Sequence, residues 1–234
     1  MKTSFYFAKM NKLLLALLAL STTFVSVRAD PAVRGWKTLD SQGCMMMREC
    51  DDDVTEVTTV SDIQLSITYA NYEEIRAEAD GIIKELNKMG VKVFLASDKY
   101  FIPRTAGIYY TVGNNMFLNE SYIDDPIQFL ETLRHEGWHA AQDAMAGTLY
   151  NNQIAIIYPE EAVPQGIALA ATVAYGENNP SLPWEREAKW AGYTENMTLE
   201  VLKIINETGY KPWEAIDPTP LTRLWLERNG FIDG

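Results

Sequence analysis

The chain has 234 residues, 47% hydrophobic and 22% charged, which are the proportions of a globular protein and not of a disordered or collagenous one. Its 20 lysines and arginines stand against 32 aspartates and glutamates; the net charge of −12 argues against nucleic acid or an anionic membrane as main partner, since both need a basic face. Two cysteines are too few for a disulfide scaffold or a cysteine-rich zinc module.

Residues 1–29 carry Lys2, Lys9 and Lys12, then the 15-residue apolar run from Leu13 to Val27, and no acidic residue. The run is short of the ~20 residues that span a bilayer, and Val27-Arg28-Ala29 suits cleavage after Ala29. The pattern predicts a signal peptide and a secreted or periplasmic protein with no stable membrane association after cleavage; an uncleaved anchor is the alternative. Cleavage would leave 16 basic and 32 acidic residues. Residues 30–58 read as an acidic, irregular N-terminal arm. An oxidising compartment predicts a short-loop Cys44–Cys50 disulfide within it. Met45 to Met47 are expected to pack on the domain, with soft-metal binding by their thioethers as the alternative.

Residues 59–234 read as one domain. Ile63–Tyr69 alternates with Gln64, Ser66 and Thr68, predicting a strand. Tyr72–Met89 places Ile75, Ala79, Ile82, Ile83 and Leu86 at helical spacing, with Gly90 as the stop. Val91–Ala96 predicts a buried strand. Gly107–Val112 and Met116–Asn119 predict a hairpin turned at Gly113-Asn114-Asn115. Asp124 and Asp125 before Pro126 predict a helix over 126–145, ending at Gly147. Further helices are expected at roughly 160–175, 184–193 and 198–207, with Pro, Gly and Asn between them. The fold class predicted is α+β: a small mixed sheet, then the helix over 126–145, then a helical C-terminal half.

The helix over 126–145 contains His135-Glu136-Gly137-Trp138-His139, an HExxH pattern that uses both histidines of the chain. At i and i+4 the two imidazoles leave one helical face and can share one zinc ion. Leu130, Leu133, Ala140, Ala141 and Met145 would bury the motif. Glu136 borders the same face, where it can accept a proton from a water molecule acidified by zinc.

On this motif the chain resembles the zincin metallopeptidases. The resemblance is strong over the motif helix and loose over the segments before it, whose order of helix, strand and hairpin is similar. It implies a minimal zincin-like domain with an edge strand along which substrate lies extended, for which residues 116–119 are the candidate. The metzincin extension needs a further histidine, and none follows. A carboxylate from a later helix remains as third ligand, as in gluzincins. The segment Trp184-Glu185-Arg186-Glu187-Ala188-Lys189-Trp190-Ala191 is similar to their E-x-E-A stretch. In many of them a small residue three positions after the ligand lets the two helices approach. Glu185 has Ala188 there and Ala191 beyond; Glu187, directly before Ala188, is the alternative, and Glu160 or Glu161 are more distant ones. The Asp that many gluzincins place four residues after the ligand is missing, since those positions hold Lys189 or Ala191. Gln142 and Asp143 are candidate substitutes to orient a histidine.

The family often uses a Tyr or His to stabilise the oxyanion, and here Tyr150, Tyr158, Tyr175 and Tyr193 stay open. Trp138, Trp184, Trp190, Trp213 and Trp225 are expected as packing anchors. Sequons at Asn119, Asn196 and Asn206 carry no weight if export is of the bacterial type. The expectation is a monomeric secreted zinc metallopeptidase, with Glu136 as general base and a peptide or protein as substrate. A non-hydrolytic metal- or partner-binding module and a zinc amidase acting on cell-wall material are the alternatives.

Overall fold

The computed structural model describes residues 37–48, 52–64, 72–147 and 153–209. The expected signal peptide, Cys50, Tyr150, Trp213 and Trp225 lie outside the described residues. Among these, the chain is α+β, with seven α-helices and a four-stranded mixed sheet: α1 (Lys37–Met46), β1 (Val54–Val57), α2 (Val60–Gln64), α3 (Arg76–Lys88), β2 (Lys92–Ala96), β3 (Gly107–Tyr110), β4 (Asn115–Asn119), α4 (Pro126–Met145), α5 (Gln165–Tyr175), α6 (Leu182–Tyr193) and α7 (Met197–Thr208). No described helix is long and apolar enough to cross a membrane.

The strand order is β1-β2-β4-β3. β1 runs antiparallel to β2, β2 parallel to β4, and β4 antiparallel to β3. This corrects the edge strand: 116–119 lies inside the sheet, and the edge beside the helices is β3, 107–110. A hairpin signal fixes which strands pair but not which side of the pair faces the rest of the sheet. The Asn114 turn has φ 51°, the left-handed conformation that Asn tolerates better than most residues.

Alternation along β2 and β4 buries both faces of the sheet. Val93, Met116 and Leu118 join α3 and α4 in the main core, whereas Phe94 and Phe117 stack at 5.3 Å in a second cluster with Met45, Tyr100 and Phe101. The presumed irregular arm is therefore partly structured. Its helix α1 brings Met45, fully buried, onto the sheet, and its strand β1 extends the sheet. Met47 is exposed, so the three methionines do not converge as a soft-metal site. Cys44 is disulfide-bonded.

The strand expected to start at Ile63 is also corrected, because Ile63 and Gln64 end α2 and 65–70 lie outside the described residues. The Asp62 carboxylate accepts from the backbone N–H of Thr58 and Thr59, each at 2.8 Å, a cap from within the first turn that favours a helix over the alternating pattern. α3 begins at Arg76, later than expected. Tyr72 precedes it as a buried anchor: its hydroxyl donates to the Ile123 carbonyl and its ring meets Phe129 edge-on at 5.4 Å.

α4 has the predicted bounds. Asp125 caps it by accepting from Ile127 and Gln128 N–H, Pro126 opens it, and Gly147 follows its end at φ 97°. It is the central helix, packed by α3, α6, α7, β3 and β4. A Cβ on Gly192 would lie 3.2 Å from the Glu131 carbonyl oxygen, and one on Gly137 would lie 2.9 Å from Thr198 Cγ2. Glycine at these positions lets α6 and α7 approach α4 closely.

Candidate metal centre

α4 presents His135, Glu136 and His139 to a cleft of about 820 Å³, whose other walls come from β3, the 104–106 segment, the end of α5 and the inner face of α6. Glu185 reaches the histidines from the first turns of α6, with Ala188 and Ala191 fully buried further along that helix. Glu185 Oε2 lies 3.3 Å from His135 Nε2 and 3.5 Å from His139 Nε2. The ring centroids of the histidines are 4.9 Å apart and nearly perpendicular. Among the described residues these three form the one group of His, Cys, Asp and Glu side chains able to hold a metal ion.

The donor set fits such an ion. Ligand atoms about 2.0–2.1 Å from a tetrahedral centre lie about 3.3–3.4 Å from one another, close to the separations found. Glu185 Oε2 is buried and aimed between the two imidazoles. Electrostatics point the same way. Burial opposes ionisation of Glu185, yet hydrogen bonds and charge from the imidazoles hold its pKa well below the usual carboxylate range. Burial likewise opposes charge on His139, yet Glu185, with Glu136 and Gln142 adding to it, pushes His139 up to about 9. A cation bound here would take the place of the proton that His139 holds against Glu185.

Glu136 is not in the group. It is buried beside it, where burial raises its pKa, Glu185 adds to the rise, and the imidazoles and the Tyr109 backbone N–H oppose it. That N–H is available because Asn119 N–H donates to the Ala106 carbonyl. In an antiparallel ladder, Gly107 and Tyr109 then turn their backbone groups away from β4.

Glu187 does not join the histidines. It is buried on the other side of α6, where Oε2 accepts from Gln142 Nε2 at 2.8 Å, Ile157 N at 3.1 Å and Trp138 Nε1 at 3.3 Å, and Oε1 accepts from Tyr158 N. Glu160 pairs with Arg186, and Glu160 and Glu161 are both exposed. Of the two candidates to orient a histidine, Gln142 is the one in reach: its Oε1 is 2.8 Å from His139 Nδ1. Asp143 faces Tyr109 OH at 2.6 Å instead.

Among the tyrosines, Tyr158 stacks on Trp138 at 5.9 Å and packs edge-on against Trp190, as core. Tyr175 and Tyr193 line the cleft, and Tyr175 is the one in contact with Glu185; burial first, then Glu185, raises its pKa. The amide nitrogens of the Asn119 and Asn206 sequons are both occupied by hydrogen bonds within the fold.

The hub made by Glu187 was missed in sequence. Its one local signal is a second glutamate two positions after the first, which turns away from the first on a helix. No protein-family model, curated protein or solved structure matches this chain.

Proposed function

We propose that the chain is a zinc-dependent peptidase of gluzincin type, exported by its N-terminal leader and acting as a monomer. One observation carries the reading: a buried carboxylate oxygen from α6 stands 3.3 and 3.5 Å from the Nε2 atoms of an HExxH pair. His135, His139 and Glu185 would hold the ion, leaving the fourth position open to the cleft. Zinc there supplies Lewis acidity towards a substrate carbonyl and towards water.

The chain's own residues supply the rest. Glu136, held by the Tyr109 N–H, takes the proton of the attacking water and delivers it to the leaving nitrogen. Its raised pKa suits a group that must both accept and return a proton. The Tyr175 hydroxyl, at the rim beside Glu185, is the donor assigned to the oxygen that gains charge as the carbonyl is attacked. Gly107 offers its outward backbone groups to an extended peptide, which would add a strand to β3.

The test compares wild type, Glu136→Gln and a chelator-treated control on unfolded casein and a peptide library. The Gln variant should keep its zinc and lose at least ~10²-fold in turnover. Cleavage that persists in the variant removes Glu136 from the mechanism. No cleavage by zinc-loaded wild type transfers the reading to a non-hydrolytic binding module, or to an amidase if cell-wall material is cut.

A further inference from the structure

Gln142 sits one turn after His139 on α4 and is wholly buried. Its amide has two ends, and their assignment follows from chemistry. One end lies 2.8 Å from Glu187 Oε2 and 3.3 Å from the Trp184 carbonyl oxygen. A backbone carbonyl can only accept, and the Glu187 carboxyl already takes N–H bonds from Trp138, Ile157 and Tyr158. The NH₂ end must therefore face them. The reversed amide would set its oxygen against two acceptors. Gln142 Oε1 is then the end facing His139 Nδ1, at 2.8 Å, and an amide oxygen accepts only. Nδ1 must carry the hydrogen; when His139 gives up its second proton, as metal binding requires, it is Nε2, on the side of Glu185, that is left with the lone pair.

We propose that Gln142, locked by Glu187, is the positioning residue that fixes the tautomer and ring orientation of His139, so that Nε2 always faces the metal. This rests on the metal centre proposed above. The device differs in placement from a carboxylate on the ligand helix: the orienting group is on α4, beside the histidine, and α6 contributes the group that orients it. Glu187 also pins the backbone at Ile157 and Tyr158, so one buried carboxylate joins the metal-facing helix, the ligand helix and the 153–158 segment whose Ile154 walls the cleft. In general, outer partners of this kind are worth 10–100-fold in metal affinity.

The chain has only two histidines, so few ring ¹⁵N signals appear in the zinc-loaded full chain, and through-bond correlation to each backbone tells His139 from His135. His139 should show a metal-bound Nε2 and a protonated Nδ1. Coordination through Nδ1 would overturn the proposal in wild type alone, whether or not any variant folds. Gln142→Met should lower zinc affinity 10–100-fold by competition titration and mix the His139 tautomers. Gln142→Glu keeps an acceptor at Nδ1 and should keep the tautomer and an affinity within a few-fold of wild type, though it places a second carboxyl beside Glu187. A folded Gln142→Met that binds zinc as wild type does would refute the proposal. So would equal losses of affinity in both variants, which a merely structural role predicts. If wild type binds no zinc, the functional reading fails separately, and the tautomer is read in the metal-free protein at alkaline pH, where the same N–H assignment is expected.

Discussion

Replacing Glu78 by alanine should destabilise the fold strongly. Arg134, directly before His135, gives two parallel hydrogen bonds to Glu78 on α3: Nε to Oε1 at 2.7 Å and Nη2 to Oε2 at 2.5 Å. Asn196 N–H, at the start of α7, adds a third to Oε1 at 2.8 Å. Both charged side chains are 10% exposed, so neither recovers much water when the other is removed. Glu78→Ala leaves the guanidinium with one long contact, 3.4 Å to the Gly192 carbonyl oxygen. Breaking a buried pair in this way costs about 3–5 kcal/mol. At about 2–4 °C per kcal/mol for a domain of this size, the melting temperature should fall by roughly 10 °C. Thermal melts and urea titrations of Glu78→Ala, Arg134→Met and the Glu78→Met/Arg134→Met double variant form the cycle. The double variant should lose clearly less than the two single losses added, because removing both partners strands no charge. A Glu78→Ala loss below about 1 kcal/mol, or simple additivity, would refute the claim that this pair fastens α4 to α3 and α7.

Asp143 predicts a pH dependence. Burial raises its carboxyl from the ordinary 3.8 to about 7, with the Tyr109 hydroxyl opposing the rise. The folded chain then holds a proton that the unfolded chain has released, so stability is greatest below pH 4 from this group and declines as pH rises towards 7, by on the order of 4 kcal/mol. Asp143→Asn should flatten that decline in urea titrations at pH 5 and pH 8; an unchanged slope would mean that Asp143 is ionised in the fold. Gly192→Val would drive a branched side chain against the Glu131 carbonyl oxygen. It should cost about 1–3 kcal/mol and weaken zinc binding by shifting α6. Unaltered stability and zinc affinity would show that the close approach of α6 to α4 is not needed.

Local signals made much of this architecture legible in sequence. Asp125, Pro126 and Gly147 act within a turn of the chain, so the bounds of α4 could be read from them. The Gly113-Asn114-Asn115 turn announces its hairpin in the same way. The resemblance favoured Glu185 as the residue facing the histidines, through Ala188 and Ala191 after it, and left Glu187 as the alternative; both alanines are fully buried. The order of strands was not legible, since it depends on pairing between distant segments: β2 lies beside β4 in parallel, leaving β3 at the edge. β1 was hidden in an acidic stretch whose alternation is only four residues long. The link from Glu187 through Gln142 to His139 was invisible for a related reason: it joins residues 45 positions apart that only the packing of α6 on α4 brings into contact.

Zinc analysis of the purified chain tests the central claim most directly. After exhaustive dialysis the wild type should retain about one zinc per chain, Glu136→Gln should retain the same, and Glu185→Ala, His135→Ala and His139→Ala should each lose it, because two protein ligands hold the ion poorly. A folded wild type that carries no zinc and gains none on titration would contradict the account, as would a Glu185→Ala variant that binds zinc like the wild type.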